Sequence, residues 1–158
     1  MKILRMLTMG AVAVFGLALA ISATGSLAQQ KQRVSDVGNA PGHQVRVFEL
    51  YRAFPDNAPV VSGLKIKETR FSDYIDRNGT AVNYVVFIME NGDKIFTRGP
   101  FIVQSAGGGK LTVTGIATIT GGTGKLAGIH GILRPVTHAD PVEGFNKGQV
   151  AMEYWMDK

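Results

Sequence analysis

From residue 43 onward, apolar and polar positions alternate with a period of two, in short runs separated by turn-forming clusters. That period sends successive side chains to opposite faces of an extended chain, so the pattern predicts strands. The first run, 43–54, places Val45, Val47, Glu49 and Tyr51 on one face and Arg46, Phe48, Leu50 and Arg52 on the other. Pro55-Asp56-Asn57-Ala58-Pro59 breaks it, and 60–71 is the next candidate strand. Asp76-Arg77-Asn78-Gly79 predicts a tight turn, because Asn-Gly tolerates positive φ. The run 81–89 is apolar on both faces, which predicts a strand covered on both sides. Asn91-Gly92-Asp93 turns it into 94–104, and a glycine loop at 105–109 leads to 110–120. The glycines of 121–124 predict a hairpin into 125–134. A longer loop over 135–147 then precedes a last strand at 148–156.

No segment shows a convincing amphipathic helical period. Short strands at this spacing favour an all-β sandwich or barrel. The fold expected is a closed antiparallel barrel of about eight strands, since closure removes exposed edges.

The first 28 residues read as a cleaved signal peptide. Lys2 and Arg5 give a positive start, 6–21 is uncharged and apolar, and Ser26-Leu27-Ala28 supplies small residues before a polar Gln29-Gln30-Lys31. The apolar run is shorter than the roughly 20 residues of a spanning helix, so cleavage near Ala28 is expected and no membrane anchor is left. Residues 29–42 are polar, without an apolar face, and read as a flexible lead-in. Residues 43–158 form one domain. A secreted or periplasmic location follows.

There are no cysteines, so packing alone must hold the domain. Of 17 basic residues, Lys2 and Arg5 fall in the leader, which leaves a mild excess over 12 acids with no basic cluster. That balance gives no reason to expect nucleic acid as a partner.

Candidate chemistry is sparse. Gly122-Thr123-Gly124-Lys125-Leu126-Ala127 fits a loose G-x-G-x-x-A pattern, but Gly128 and Gly131 follow where a helix is required. The same stretch lacks the spacing of a phosphate-binding loop, so a hairpin is the better reading. His43, His130 and His138 lack metal-ligand spacing, and no metal or other cofactor is indicated. Glu49 is the charged residue of most interest. If its face points inward, a desolvated carboxylate among apolar groups suits a general base or a polar contact to a substrate. In the opposite register Glu49 faces water, and Phe48 and Leu50 form the core. Arg46 and Arg52 share the Phe48/Leu50 face, which favours the inward placement of Glu49 modestly.

Three stretches resemble the allene oxide cyclase barrel family, a relative of the dirigent proteins. They are Val47-Phe48-Glu49-Leu50-Tyr51 followed by Asn57-Ala58-Pro59; Tyr84 through Gly99-Pro100-Phe101; and Ile119 through Gly131, with its Thr-Gly-Gly-Thr-Gly hairpin. The resemblance implies an eight-stranded calycin-like barrel with an apolar lumen, and often a trimer. It places the family's catalytic carboxylate on Glu49. It departs at Tyr51, where the family has Asn, and at the Ser-Pro pair, which becomes Asn57-Ala58-Pro59.

Three readings follow. The first is a secreted barrel that binds a small apolar or amphipathic molecule in its lumen, with Glu49, Tyr51, Asn57, Pro59 and Tyr84 as site residues. The second is an isomerase or cyclase acting on an epoxide, with Glu49 as the catalytic group. The third is an interaction protein with a filled core and an exposed apolar patch.

Overall fold

The computed structural model describes residues 13–17, 27–53, 63–140 and 145–157. Ten strands make one antiparallel sheet: β1 (Ala13–Leu17), β2 (Leu27–Asp36), β3 (His43–Ala53), β4 (Lys65–Ile75), β5 (Asn78–Ile88), β6 (Lys94–Ser105), β7 (Leu111–Gly115), β8 (Ala117–Gly122), β9 (Ile129–Asp140) and β10 (Phe145–Met156). The sheet runs β1-β10-β9-β7-β6-β5-β4-β3-β2, and β8 also lies between β6 and β9. β7 and β8 are one run broken at Ile116, so the sheet has nine positions. Its pairings close a small ring around that break.

The strand pattern of the sequence is realised with local corrections. β2 pairs along β3 from Leu27 to Asp36, where a flexible lead-in was expected. Its polar side chains suit an edge strand, whose outer backbone faces water. β1 falls inside the expected leader and pairs with Val150–Tyr154 of β10.

The β4–β5 turn is centred on Asp76 and Arg77, not on Asn78-Gly79. Ile75 pairs with Asn78, and Asp76 and Arg77 have φ of 48° and 64°. Two consecutive positive φ values define the two-residue turn that matches strand twist. Asn78 instead works beside the turn, where its Nδ2 donates to Asp76 O and its Oδ1 accepts from Ser105 N.

β9 extends to Asp140 and β10 begins at Phe145, so strands take both ends of the loop expected at 135–147. Proline in a strand lacks a ladder donor, yet Pro135 is tolerated. The β7–β9 ladder ends at Thr114↔Val136 and the β8–β9 ladder begins at Ala117↔Leu133. On that side Pro135 therefore falls opposite the break, and on the other it pairs with Val150 of β10.

One face of the sheet carries the core. Ala81, Ile95, Phe101, Ala117, Ile119, Ile129 and Leu133 form a buried cluster, with Ile119 at 2% and Ile129 at 1% exposure. Phe87, Val113, Val150, Met152 and Tyr154 pack against it. The opposite face exposes Val45, Phe71, Val82, Tyr84 and Ile102. Strand β5 is thus apolar on both faces, as its sequence indicated. The expected cover on both sides is corrected, because Val82 and Tyr84 on its outer face are exposed within this chain.

Candidate functional site

The register of β3 against β4 decides which side of β3 looks inward. Phe48 pairs with Arg70, Arg46 with Ser72 and Gln44 with Tyr74. Ser72 and Tyr74 are buried, so the even-numbered residues of β3 share the core face. Glu49 pairs with Thr69 and is exposed on the outer face. The inward placement of Glu49 is therefore corrected, along with the inference from Arg46 and Arg52. Arg46 lies inward because an aromatic ring and a polar partner accommodate it. The Arg46 guanidinium sits 5.8 Å from the Tyr74 ring centroid and donates to Gln44 Oε1 at 2.5 Å. Arg70 lies 5.4 Å over Phe48. A guanidinium over a ring face is attracted electrostatically, and its methylene stem packs as an apolar group.

The other site residues do not converge on the inner face. Tyr51 is outward, between Gln29 and Lys67 on its neighbouring strands. Tyr84 is outward too, edge-on to Phe71 with centroids 6.2 Å apart and 5.9 Å from the Arg98 guanidinium. Asn57 and Pro59 lie outside the described residues. Glu49 and Tyr51 do meet, in a depression of about 260 Å³ on the outer face, shared with Gln29, Lys31, Lys67 and Thr69.

The inner face has two unlike halves. Along β6, β8 and β9 it is apolar. Along β3, β4 and β5 it carries Arg46, Arg52, Glu68, Arg70 and Asn83. Arg70 donates from Nη2 to Glu68 Oε1 at 2.6 Å and from Nε to Asn83 Oδ1 at 3.1 Å, and Asn83 Nδ2 donates to Glu68 Oε1 at 2.9 Å. Each member of this triad has two partners within it, which is what a buried polar group needs. Arg46 Nε and Arg52 Nε are buried without a hydrogen-bond partner among the described residues.

Where β5 turns into β6, the inner face opens into a hollow of about 550 Å³. Met89, Ile95 and Leu126 supply its apolar lining, and Glu90, Asn91, Asp93 and Lys125 its polar rim. Its volume falls in the range of small-molecule sites, and it is broadly open to solvent. Two turns build it. The turn at Glu90–Asp93 closes through Met89 N to Asp93 O at 2.8 Å, with Gly92 at φ 86°. A single 3-10 turn, Gly124–Leu126, comes from the β8–β9 connection and not from a phosphate-binding helix. Asp93 Oδ2 accepts from Lys125 N at 3.1 Å, and Thr123 Oγ1 accepts from Lys94 N at 3.0 Å. These bonds hold Leu126 over Ile95. Both turns were legible as turns in the sequence. Their meeting depends on the β6–β8 pairing, Ile95↔Gly122, which no local pattern announces.

The histidines are dispersed: His43 bonds Asn39 and Asp73, His130 bonds Asp157 and stacks on Trp155, and His138 contacts Thr112. No group of three or more metal-ligating side chains occurs among the described residues. No known protein family, curated protein or solved structure matches this chain.

Proposed function

We propose that this protein binds a small amphipathic molecule at the inner face of a rolled sheet, entering by the hollow at the β5–β6 turn. The observation that carries the reading is that hollow, with its apolar lining of Met89, Ile95 and Leu126 under a polar rim. Closure of the sheet into a barrel is part of the proposal. Among the described residues no second layer covers the core face, yet Ile119 and Ile129 are buried there. Distant strands of the same sheet are then their cover, and Val150, Met152 and Tyr154 of β10 already pack on the cluster. The resemblance to the allene oxide cyclase barrels suggests the same architecture. Its cyclase activity relied on a carboxylate at Glu49, and with that group outside, binding is the reading retained. Export fits a chain that begins with an apolar leader, and the secreted or periplasmic form would start at Gln29.

Leu126→Arg places a charge in the mouth of the hollow, at a partly buried residue on the border of the core cluster. Fluorescence of the neutral apolar probe N-phenyl-1-naphthylamine is expected to rise with the native protein. The gain in L126R is expected to be at least tenfold smaller, at unchanged circular dichroism. Equal enhancement by both proteins would rule the hollow out.

A second reading concerns assembly. Val47, Phe71, Val82 and Pro100 are successive cross-strand partners on the outer face, and Val45, Tyr84 and Ile102 flank them. An apolar strip of this kind suits contact between copies of the chain, in keeping with the trimer implied by the resemblance. Sedimentation equilibrium is expected to show an oligomer that Phe71→Glu dissociates. A monomeric native protein would sink this reading.

A further inference from the structure

The strand register gathers on the outer face cations that lie far apart in the sequence. Lys31, Glu49, Thr69, Tyr84 and Arg98 are successive cross-strand partners from β2 to β6. Beside them run Gln29, Tyr51, Lys67, Val86 and Phe96, and then Ala53, Lys65, Ile88 and Lys94. These rows set Lys31, Lys65, Lys67, Lys94 and Arg98 against the single carboxylate of Glu49. All six charged residues are exposed, and none is in an ion pair among the described residues. At strand spacings of roughly 4.8 Å, the band from β2 to β6 is about 19 Å across. A face of one sign attracts the opposite sign and holds it through several contacts at once.

The outer depression of about 260 Å³ lies within this band. Lys31 and Lys67 bring ammonium groups to it, Glu49 a carboxylate, and Gln29, Tyr51 and Thr69 an amide, a phenol and a hydroxyl. No hydrogen bond or ion pair joins these side chains to one another among the described residues, so all are left to solvent or to a ligand. The set suits carboxylates for the lysines, hydroxyls for Glu49, Gln29 and Thr69, and an apolar C–H face for the Tyr51 ring. An acidic sugar presents all three. Glu49 disfavours a polyanion of dense phosphates, which would bring like charge against its carboxylate. The width of the band favours a polymer over a single sugar, and Arg98, 5.9 Å from the Tyr84 ring centroid, stands ready for a carboxylate further along. These cations border the apolar strip of Val47, Phe71, Val82 and Pro100 and are not part of it.

We infer that the outer face binds an acidic polysaccharide, a polymer of the uronic-acid type. Lys31 and Lys67 donate to its carboxylates, Tyr51 lies under a sugar ring, and Glu49 accepts from hydroxyls between the charges. This site is separate from the hollow and does not depend on what the hollow binds.

Isothermal titration of the native protein with polygalacturonate, and with the same polymer fully methyl-esterified, tests it. The acidic form is expected to bind about tenfold or more tightly, as charge-assisted bonds require, and to weaken as sodium chloride is raised. Lys31→Gln combined with Lys67→Gln is expected to lose about tenfold in affinity at unchanged circular dichroism, since it removes two such bonds. Lys110→Gln, in the β6–β7 turn, is expected to change nothing. Glu49→Ala is expected to weaken polygalacturonate and to strengthen a single-stranded oligodeoxynucleotide; a gain for both would overturn the role of Glu49. Equal binding of the acidic and esterified polymers, or of neither, would overturn the site. Tighter binding of the oligodeoxynucleotide, or of phosphatidylglycerol vesicles, than of polygalacturonate would overturn the choice of a glycan. These comparisons use the native protein and are unaffected by the outcome with N-phenyl-1-naphthylamine.

Discussion

Gly99→Ala is expected to be among the most destabilising single substitutions in the chain. A Cβ at Gly99 would lie 2.0 Å from Ile116 O and 2.5 Å from Ala117 Cα. Both are backbone atoms at the point where β7 gives way to β8, so no side chain can rotate out of the way. Relief requires β6 and β8 to move apart, and β8 carries Ala117 and Ile119 into the core. Overpacking against movable side chains costs about 1–3 kcal/mol. Against fixed backbone the cost should sit at or beyond the upper end, roughly 3 kcal/mol, which in a domain of this size lowers Tm by roughly 10 °C. Thermal unfolding followed by circular dichroism measures it. A shift of under two degrees would show that the strands are not as tightly opposed at Ile116 as the structure places them.

Glu68→Ala should be nearly as damaging, for an electrostatic reason. It removes the acceptor of both Arg70 Nη2 and Asn83 Nδ2, and Asn83 is only 4% exposed. Removing one partner of a buried pair costs about 3–5 kcal/mol, because the other is left charged and unpaired. The Arg70 side chain is 26% exposed and can recover some hydration, so about 2–4 kcal/mol is expected. Arg70→Met in the same background should restore part of the loss, because it removes the stranded charge and keeps contact with Phe48. The double-mutant cycle should give a coupling of about 1–3 kcal/mol. Additive effects in urea titration would mean that the triad's geometry does not govern stability.

The β3 register shows how a correct pattern can be read onto the wrong side. Alternation over 43–54 splits the strand into two faces, but each face carries both apolar and charged residues. Arginine beside Phe48 and Leu50 argues for solvent if arginine is treated as a charge alone. In the folded protein its stem and ring contacts make it an inner-face residue, with Arg46 on Tyr74 and Arg70 on Phe48. What breaks the tie is the pairing with β4, where Ser72 and Tyr74 are buried.

The hollow shows a different shortfall. Asn91-Gly92-Asp93 and Gly122-Thr123-Gly124 are each visible as turns, thirty residues apart, and nothing local says that Asp93 will accept a bond from Lys125 N. The triad of Glu68, Arg70 and Asn83 was silent for the same reason. Glu68 and Arg70 are two apart on one strand face, but Asn83 reaches them across the β4–β5 ladder.

Sequence alone determined that this chain is built of antiparallel strands, and where most of its turns fall, because period-two alternation and turn chemistry act over a few neighbouring residues. Tertiary structure decided which face of each strand is inside, which turns meet, and that β9 continues past Pro135. Those outcomes depend on register between strands distant in the chain, and a shift of one residue there exchanges every inner side chain for an outer one.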